Sequence, residues 1–485
     1  MVRDEILDKY EMTIGIECHV QLATATKLFS GADNDARDKS PNSVVSPIDF
    51  GLPGMLPVLN REAVNLAIKA GKALNAPIAH VSRFDRKHYF YPDLPKGYQT
   101  TQMYEPIIQA GYIDAPLEDG ATVRVRIHHA HMEEDAGKLT HYDGHTLVDL
   151  NRAGTPLIEI VSEPDIHSAA AAKAYASELY RLMTYAGVTH GDLYHGNMRF
   201  DVNLSVALKG STELGTRAEV KNLNSFRSVE KAAEYEFRRQ VERLENGERV
   251  VQETRGWDDT KLVTTSQRSK EDAQDYRYMP DADIPPIVLT AEEIAEVQAT
   301  VPNLPSFYRE AWKEIGFDET VINALLASRS MAELVQRIFD QGGASAARRV
   351  GLWFLVTIAE NAQDDPSIQQ NNVAVPDEYF IQLATMVDDN KLSSTAAKEV
   401  FLDMLKSSEA PQAIAERKDL LQVSDESAIA AIVDEVLADP ASAKAIEDIR
   451  NGNDKVIGFL VGQIMKKSQG KANPALAQKL IRERL

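Results

Sequence analysis

The chain has 485 residues, of which 44% are hydrophobic and 26% are charged, an ordinary composition for globular proteins that allows about two to four domains. Its formal net charge of -20 argues against a broad nucleic-acid-binding surface. Cys18 is the only cysteine, which excludes an intramolecular disulfide and a cysteine-based zinc cluster. With neither an apolar signal region nor a long apolar run, we expect a cytoplasmic protein without a membrane span.

The first predicted element is a strand over residues 14–22, in which apolar and polar residues alternate. The apolar face carries Ile14, Ile16, Cys18, Val20 and Leu22. Because side chains two apart on a strand point the same way, Glu17 and His19 share the polar face. They are a plausible pair of ligands for one cation, although such a pair in isolation more often marks an exposed strand face.

Three further predicted strands present polar faces of the same kind. Residues 198–206 place Arg199 and Asp201 on one face. Residues 216–222 place Arg217, Glu219 and Lys221 on one face. A strand beginning at Val123 brings Glu134 to its polar face. A bulge along that strand would bring Glu133 there instead, so both glutamates remain candidates.

Together these strands predict a cation and phosphate site. Its candidate ligands are Glu17, His19, Glu134, Asp201 and Glu219. Clustered carboxylates raise one another's pKa unless a cation compensates, and this oxygen-rich set suits Mg²⁺ or Mn²⁺. Arg199, Arg217 and Lys221 are the candidate phosphate contacts. The alternative is a solvated face held together by ion pairs.

Several other kinds of active site are excluded. Neither GxxxxGK[ST] nor GxGxxG occurs, and there is no G-x-S-x-G nucleophile motif. Cys18 faces the apolar side of its strand and is a poor nucleophile candidate. His128, His129 and His131 have no partners in phase with them. The chain is therefore not expected to hydrolyse glutamine or an ester by itself.

The arrangement of elements favours an α+β domain around an antiparallel sheet, followed by helical domains. Helices are predicted over residues 60–74, 168–185 and 229–245, and a capping box at Thr290–Glu293 opens another. Almost no strand pattern follows, and a second break is expected near residues 407–411. We therefore predict domains over 1–293, 294–408 and 409–485, the last with a locally basic end suited to a phosphate backbone.

Seven ordered motifs connect the chain to a known family. They are Gly15-Ile-Glu-Cys-His-Val-Gln-Leu22, Gly51-Leu-Pro-Gly54, Arg86-Lys-His-Tyr-Phe-Tyr-Pro-Asp-Leu-Pro95, His131-Met-Glu-Glu-Asp-Ala-Gly-Lys138, Asn151-Arg-Ala-Gly-Thr-Pro156, Val220-Lys-Asn-Leu-Asn-Ser-Phe226 and Asp275-Tyr-Arg-Tyr-Met-Pro280. With these motifs the chain closely resembles the B subunits of bacterial aspartyl/glutamyl-tRNA amidotransferases, nearly end to end.

The resemblance implies a glutamine-synthetase-like cradle domain, a helical domain and a helical tail that contacts tRNA. It also implies a reaction, in which ATP and Mg²⁺ phosphorylate the side-chain carboxylate of Glu misacylated onto tRNA-Gln, or of Asp onto tRNA-Asn. Ammonia then displaces the phosphate to give the amide. The implied partners are the misacylated tRNA, the amidase subunit of the same enzyme, which supplies ammonia, and its small third subunit.

The family's metal and nucleotide site, carried over by motif, falls on the five candidate ligands given above. We add Arg268 and Lys270 as weaker candidates for phosphate contacts. Many relatives also hold a structural zinc on two cysteine pairs. The corresponding positions here are Ser30, Ala32, Ser46 and Asp49, so we expect no structural zinc.

Two other functions are compatible with parts of the sequence. A tRNA-binding assembly scaffold without chemistry would explain the basic C-terminal end but not the carboxylate face. A free-standing ligase that makes a small amide from ATP and ammonia would need no tRNA.

Overall fold

A computed structural model describes residues 3–269, 275–361, 375–422, 426–450, 453–468 and 472–485. The chain divides into two compact units, Met1–Phe307 and Tyr308–Leu485. None of the helices in these described ranges combines the length and the apolar character needed to cross a bilayer. The α+β class predicted from the sequence is confirmed, whereas the division into three domains stays a prediction.

The first unit is built on strands. In the described ranges they are β1 (Tyr10–Gln21), β2 (Val81–Ser82), β3 (Asp85–His88), β4 (Tyr98–Thr101), β5 (Gly111–Pro116), β6 (Thr122–Glu134), β7 (Lys138–Tyr142), β8 (His145–Asp149), β9 (Pro156–Ser162), β10 (Met198–Leu208), β11 (Ala218–Leu223), β12 (Glu253–Asp258), β13 (Val263–Ser269), β14 (Met279–Pro280) and β15 (Ile287–Val288). Its helices are α1 (Asp4–Leu7), α2 (Arg61–Ala73), α3 (Ala169–Tyr185), α4 (Phe226–Glu245) and α5 (Ala291–Ala299).

Eight strands form the main sheet, in the order β13-β12-β11-β10-β1-β9-β6-β5. Neighbouring strands are antiparallel except for β11 and β12, which run parallel because helix α4 lies between them in the chain and provides the crossover. The predicted antiparallel sheet therefore contains one parallel pair. Strands β14-β3-β4 form a separate small sheet, and β7 and β8 form a hairpin.

One face of the main sheet is buried beneath helices. The apolar residues of β1 from Ile14 to Val20 are at most 1% exposed and pack in one core cluster with residues of α2, α3 and α4. Ser168 and Ser225 cap α3 and α4 through hydrogen bonds to backbone N–H groups, which fixes where these helices begin. Because that face is covered, the polar side chains of the same strands lie on the opposite face.

The second unit is helical. Helix α6 (Pro305–Ala311) includes the boundary between the two units. The α-helices of the second unit in the described ranges are α7 (Glu319–Leu325), α8 (Arg329–Asn361), α9 (Asp377–Asp388), α10 (Ser394–Ser407), α11 (Pro411–Arg417), α12 (Glu426–Ala438), α13 (Ala443–Arg450), α14 (Ile457–Lys467) and α15 (Pro474–Arg484). Helix α11 packs against α9 and α10, and a separate core cluster begins at Ile429 and joins α12, α14 and α15. The local core therefore changes after α11.

Candidate functional site

The predicted alternation of β1 is confirmed. Every second residue from Ile14 to Val20 is buried in the core, while Glu17 and His19 lie on the other face and are half-buried. The antiparallel register places Glu17 directly opposite Asp201 of β10. On the other side of β1, His19 lies directly opposite Glu159 of β9. Two groups of ligand-type side chains therefore form next to each other on this face.

The first group, which we call the triacid cluster, consists of Glu17, Asp201 and Glu219. One oxygen of each carboxylate lies within 4.8 Å of the others. The ammonium of Lys221 lies 3.1 Å from Asp201 Oδ2 and 2.9 Å from Glu219 Oε1. Three acidic groups and one lysine therefore leave a net negative charge where a cation could bind.

Neighbouring polar groups hold the triacid cluster in place. Asn203 donates to Glu17 Oε1 at 3.0 Å, and Thr254 of β12 donates to Glu219 Oε2 at 3.0 Å. The backbone N–H of Asn222 donates to Asp201 Oδ1 at 2.9 Å, and Asn222 adopts a left-handed conformation with φ 61°. Because asparagine tolerates this conformation, the strand can turn its N–H toward the carboxylate. Each carboxylate is therefore oriented by a hydrogen-bond donor.

The second group, which we call the His19 cluster, consists of His19, Glu133 and Glu159. His19 Nε2 lies 3.5 Å from Glu133 Oε1 and 3.8 Å from Glu159 Oε2. His131 Nε2 lies 3.1 Å from Glu159 Oε2 and supports the cluster from β6. One imidazole and two carboxylates form a donor set that fits a divalent cation.

The charges of the site shift several pKa values. Burial raises the pKa of Glu17, and the nearby carboxylates of Glu159 and Glu219 raise it further. Burial acts to lower the pKa of His131, but its hydrogen bonds to Glu133 and Glu159 outweigh this and raise the pKa to about 9. Burial likewise opposes ionisation of Lys221, yet Asp201 and Glu219 hold its pKa above the usual value. The face therefore holds closely spaced carboxylates stabilised by only a few cationic groups.

Glu134 lies in neither cluster. Its carboxylate forms an ion pair with Lys96 and accepts a hydrogen bond of 2.9 Å from the backbone N–H of Thr100. The register of β6 shifts between Ile127 and His129, so the alternation extrapolated from Val123 reverses after this irregularity. The structure therefore brings Glu133, the second candidate from the sequence, to the His19 cluster in place of Glu134.

The predicted basic residues occupy different places. Arg199 lies 3.4 Å from Asp135, whereas Arg217 is exposed and lines a pocket of about 250 Å³ that also contacts Glu17 and Asn203. Arg268 lies on β13 opposite Thr254, but its side chain is outside the described part of the structure. Lys270 is outside the described residues altogether. Lys221 and Arg217 are thus the basic residues placed beside the triacid cluster.

Sequence reasoning missed the contributions of Glu159 and His131. Glu159 is the only charged residue of β9, and it lies directly between His19 and His131 in the sheet register. An isolated acid in an otherwise apolar strand was the available signal. No comparable signal marks His131, because the alternation that begins at Val123 assigns it to the core face until the register shift of β6 is taken into account.

The four positions for which the resemblance led us to expect no structural zinc carry another set of contacts here. Asp49 accepts hydrogen bonds from Ser30 at 3.1 Å and from Ser46 at 2.8 Å. The ammonium of Lys27, whose side chain is fully buried, lies 3.5 Å from the same carboxylate. The position of Ala32 offers no side-chain ligand. A set of one carboxylate and two hydroxyls does not fit a thiolate-type zinc site.

Comparisons with known proteins agree with this architecture. Residues 12–295 match the model of the GatB/GatE catalytic domain, and residues 333–485 match that of the GatB domain. The B subunit of the aspartyl/glutamyl-tRNA(Asn/Gln) amidotransferase of Halorhodospira halophila is 47% identical over 98% of this chain and 99% of its own length. The protein of the same name from Persephonella marina is 43% identical over 98% of this chain and all of its own. The chain therefore belongs to the family of aspartyl/glutamyl-tRNA(Asn/Gln) amidotransferase B subunits.

Proposed function

We propose that this chain activates the side-chain carboxylate of Glu on tRNA-Gln, or of Asp on tRNA-Asn, for amidation. A carboxylate oxygen attacks the γ-phosphorus of ATP, and ADP leaves to give an acyl phosphate. Ammonia then attacks the acyl carbon, phosphate leaves, and one proton is lost to give the amide. The observation that supports this proposal is the placement of the triacid cluster and the His19 cluster side by side on one sheet face.

We assign binding of ATP to the pocket beside the triacid cluster, which is lined by residues of β1, β9 and β10 and by Arg217. There Arg217 and Glu17 line the pocket of about 250 Å³, and Lys221 lies between two acids of the triacid cluster. Glu17, Asp201 and Glu219 would hold Mg²⁺, with Mn²⁺ as the alternative. Bound Mg²⁺ neutralises negative charge on a transferring phosphoryl group. Lys221 and Arg217 would contact phosphate oxygens, and Arg199, Arg268 and Lys270 remain weaker proposals for the same role.

We assign the His19 cluster to the side of the site that receives the carboxylate. His19, Glu133 and Glu159 could hold a second cation. His131 fixes the orientation of Glu159 through the contact of 3.1 Å. Glu134, by contrast, would act by fixing Lys96 and the backbone at Thr100. Orientation of the acceptor carboxylate in line with the γ-phosphate would supply much of the rate.

The ammonia would come from the amidase subunit of a cytoplasmic complex that also contains the small third subunit. The sequence has no G-x-S-x-G motif, and its only cysteine is buried, with burial raising the pKa of the Cys18 thiol far above its usual value. Such a chain needs an external source of ammonia. We further propose that domain 1–293 receives the aminoacyl end of the tRNA and that the tail over 409–485 contacts its phosphate backbone.

The test is amidation by the complex of this chain with the amidase and small subunits, using Glu-tRNA-Gln and Asp-tRNA-Asn with and without ATP. We expect amide formation only with ATP and a divalent cation. Asp201→Asn, which retains an acceptor for the N–H of Asn222, should slow amide formation by about 10- to 100-fold. Asp114→Asn, which alters an exposed pair with Arg124, is the matched control. Wild-type activity in Asp201→Asn would instead mean that the catalytic assignment of the triacid cluster fails.

A further inference from the structure

Four tyrosine rings form a continuous row at the small sheet of β14, β3 and β4. The ring centroids of Tyr89 and Tyr276 are 6.1 Å apart, those of Tyr276 and Tyr278 are 6.1 Å apart, and those of Tyr278 and Tyr104 are 6.5 Å apart. The interplanar angles are 70°, 70° and 75°, so each ring meets the next edge to face. We call these four residues the tyrosine row.

The half-buried members of the tyrosine row, Tyr89, Tyr276 and Tyr278, lie beside the His19 cluster, because Thr100 of the same small sheet donates its N–H to Glu134, the neighbour of Glu133. Lys87 places its ammonium 4.8 Å from the centroid of the Tyr276 ring, and its positive charge acts on Glu159. Burial raises the pKa of Tyr278 to about 12, with further contributions from Tyr276, Glu159 and Glu133. The same carboxylates that we assign to the acceptor side therefore border the tyrosine row.

The outer end of the row is open to solvent. Tyr104 is 63% exposed, and Met103, which precedes it in the chain, is 53% exposed. Met279, which follows Tyr278 in the chain, is 49% exposed. Aromatic and thioether side chains are apolar and polarisable, so these exposed residues suit contact with a ligand. The row therefore extends from an acidic cluster to an exposed aromatic edge, with one lysine over its middle.

We propose that the tyrosine row binds the unpaired 3′-terminal adenosine of the misacylated tRNA, with the base stacked on Tyr104. This inference rests on the proposed function, because the reacting carboxylate is joined to that nucleotide through the aminoacyl ester. An aminoacyl group spans less than about 10 Å, so the terminal base has to lie near the His19 cluster. Unpaired bases commonly stack on aromatic side chains, and Lys87 suits the adjacent phosphate.

The adenine of ATP is the competing occupant, and the geometry favours the tRNA. The pocket that we assign to ATP adjoins the triacid cluster and is lined by residues of β1, β9 and β10 and by Arg217. The tyrosine row lies where the small sheet meets the end of β6, with Lys87 over the Tyr276 ring and Thr100 bonded to Glu134. The two adenine-bearing ligands would thus approach from different sides of the two clusters.

The test is equilibrium binding of deacylated tRNA-Gln, intact or lacking its terminal adenosine, to the complex with the amidase and small subunits. For the wild type, removal of the adenosine should weaken binding about tenfold or more, the value of one base–aromatic stack. Tyr104→Ala should weaken binding of intact tRNA by a similar factor and abolish the effect of removing the adenosine, and Tyr104→Phe should restore both. Tyr142→Ala, a similarly exposed ring on β7, is the control.

Kinetics separates the two sources of adenine. Tyr104→Ala should raise KM for misacylated tRNA and leave KM for ATP unchanged. The inference is overturned if Tyr104→Ala raises KM for ATP instead, if the adenosine effect persists in that variant, or if Tyr142→Ala behaves in the same way. A different result would contradict the proposed function, namely that the wild-type complex forms no amide in the presence of ATP. The binding comparison does not depend on that result.

Discussion

Glu17 and Asp201 are direct partners across the β1–β10 pair, and one oxygen of each carboxylate lies within 4.8 Å of the other. Burial raises the pKa of Glu17, and neighbouring carboxylates raise it further, so the folded chain contains electrostatic repulsion at this point. A cation that binds here removes part of that repulsion. Metal binding and folding stability should therefore be coupled.

Lys221→Met tests this coupling. Because the ammonium of Lys221 contacts two acids of the triacid cluster, its loss should lower the free energy of unfolding without metal by about 1 kcal/mol, the pair being partly exposed. Added Mg²⁺ should then raise the melting temperature more in the variant than in the wild type. Lys231→Met, which removes a comparably exposed partner of Glu234, is the control for thermal melts. An identical Mg²⁺ response in all three proteins would contradict a cation site at this cluster.

Glu133→Gln and Glu134→Gln should have different effects. Glu133→Gln removes a carboxylate from the His19 cluster, so amidation should fall by about 10- to 100-fold. His131 keeps its shorter contact of 3.1 Å with Glu159, so this variant should lose less stability than Glu134→Gln. Glu134→Gln leaves the ammonium of Lys96 without its ion pair and should cost about 1–3 kcal/mol of stability. Urea denaturation and amidation rates measured on both variants distinguish these effects. A loss of activity confined to Glu134→Gln would reverse our assignment of the two glutamates.

His129 should make the chain sensitive to acid. Burial and the positive charges of His131 and His128 lower its pKa to about 4 from the usual value of 6.5, against the opposing charge of Glu159 on β9. Between these two pH values the unfolded chain binds more protons than the folded chain, so stability falls as the pH falls through this window. By pH 4, His129 should lower the free energy of unfolding by about 1–3 kcal/mol.

The measurement is denaturant unfolding at about pH 7 and about pH 4.5 for the wild type and His129→Gln, two conditions that span most of this window. The variant should lose less stability between the two conditions. His145→Gln, on the exposed β8 strand, should lose as much as the wild type. Equal losses in His129→Gln and the wild type would show that His129 is not held neutral in the folded chain.

Cys18→Ala should leave the amidation rate unchanged. The thiol is fully buried on the core face of β1, so the substitution removes packing and should cost about 1–2 kcal/mol of stability. A thiol reagent should label the native wild type only as fast as the chain opens. Rapid labelling, or amidation that is lost in a folded Cys18→Ala protein, would assign chemistry to this residue.

Asp49→Asn should destabilise the chain through Lys27. The side chain of Lys27 is fully buried, and Asp49 is its ion-pair partner among the described residues. Removal of one partner of a buried pair typically costs about 3–5 kcal/mol, and the serine hydroxyls around Asp49 would reduce that cost only in part. Asp114→Asn again serves as the control in denaturant unfolding. A stability unchanged by Asp49→Asn would mean that Lys27 is not charged in the folded chain.

The parts of the site that could be predicted lie on strands with uninterrupted alternation. In β1 and β10 the apolar residues repeat every second position, so the faces of Glu17, His19 and Asp201 followed from spacing alone. Glu159 could not be found this way because Leu157 and Val161, which share its face of β9, are apolar, so no alternation of polar residues marks that face. The placement of Glu133 depended on the register shift of β6, which local sequence does not encode.

Pairing between strands was also beyond the sequence. The spacing in each strand shows which residues share a face, but not which strand lies next to which. Only the order β10-β1-β9-β6 brings Asp201, Glu17, Glu159 and Glu133 to one place. These neighbours are far apart in the chain, and their contacts are set by packing of the whole sheet on its helices.

The register shift in β6 has a consequence for how this protein tolerates insertions and deletions. Between Ile127 and His129, β6 advances by two residues while β9 advances by one, so this point accommodates one extra residue. Deletion of that extra residue would remove the irregularity and leave His131 and Glu133 paired with the same residues of β9. Deletion of Met132, which lies after the irregularity, would instead move Glu133 to the core position opposite Ile158 and bring Glu134 to the position opposite Leu157. A single deleted codon at that second point would exchange the positions of two adjacent glutamates without altering either one.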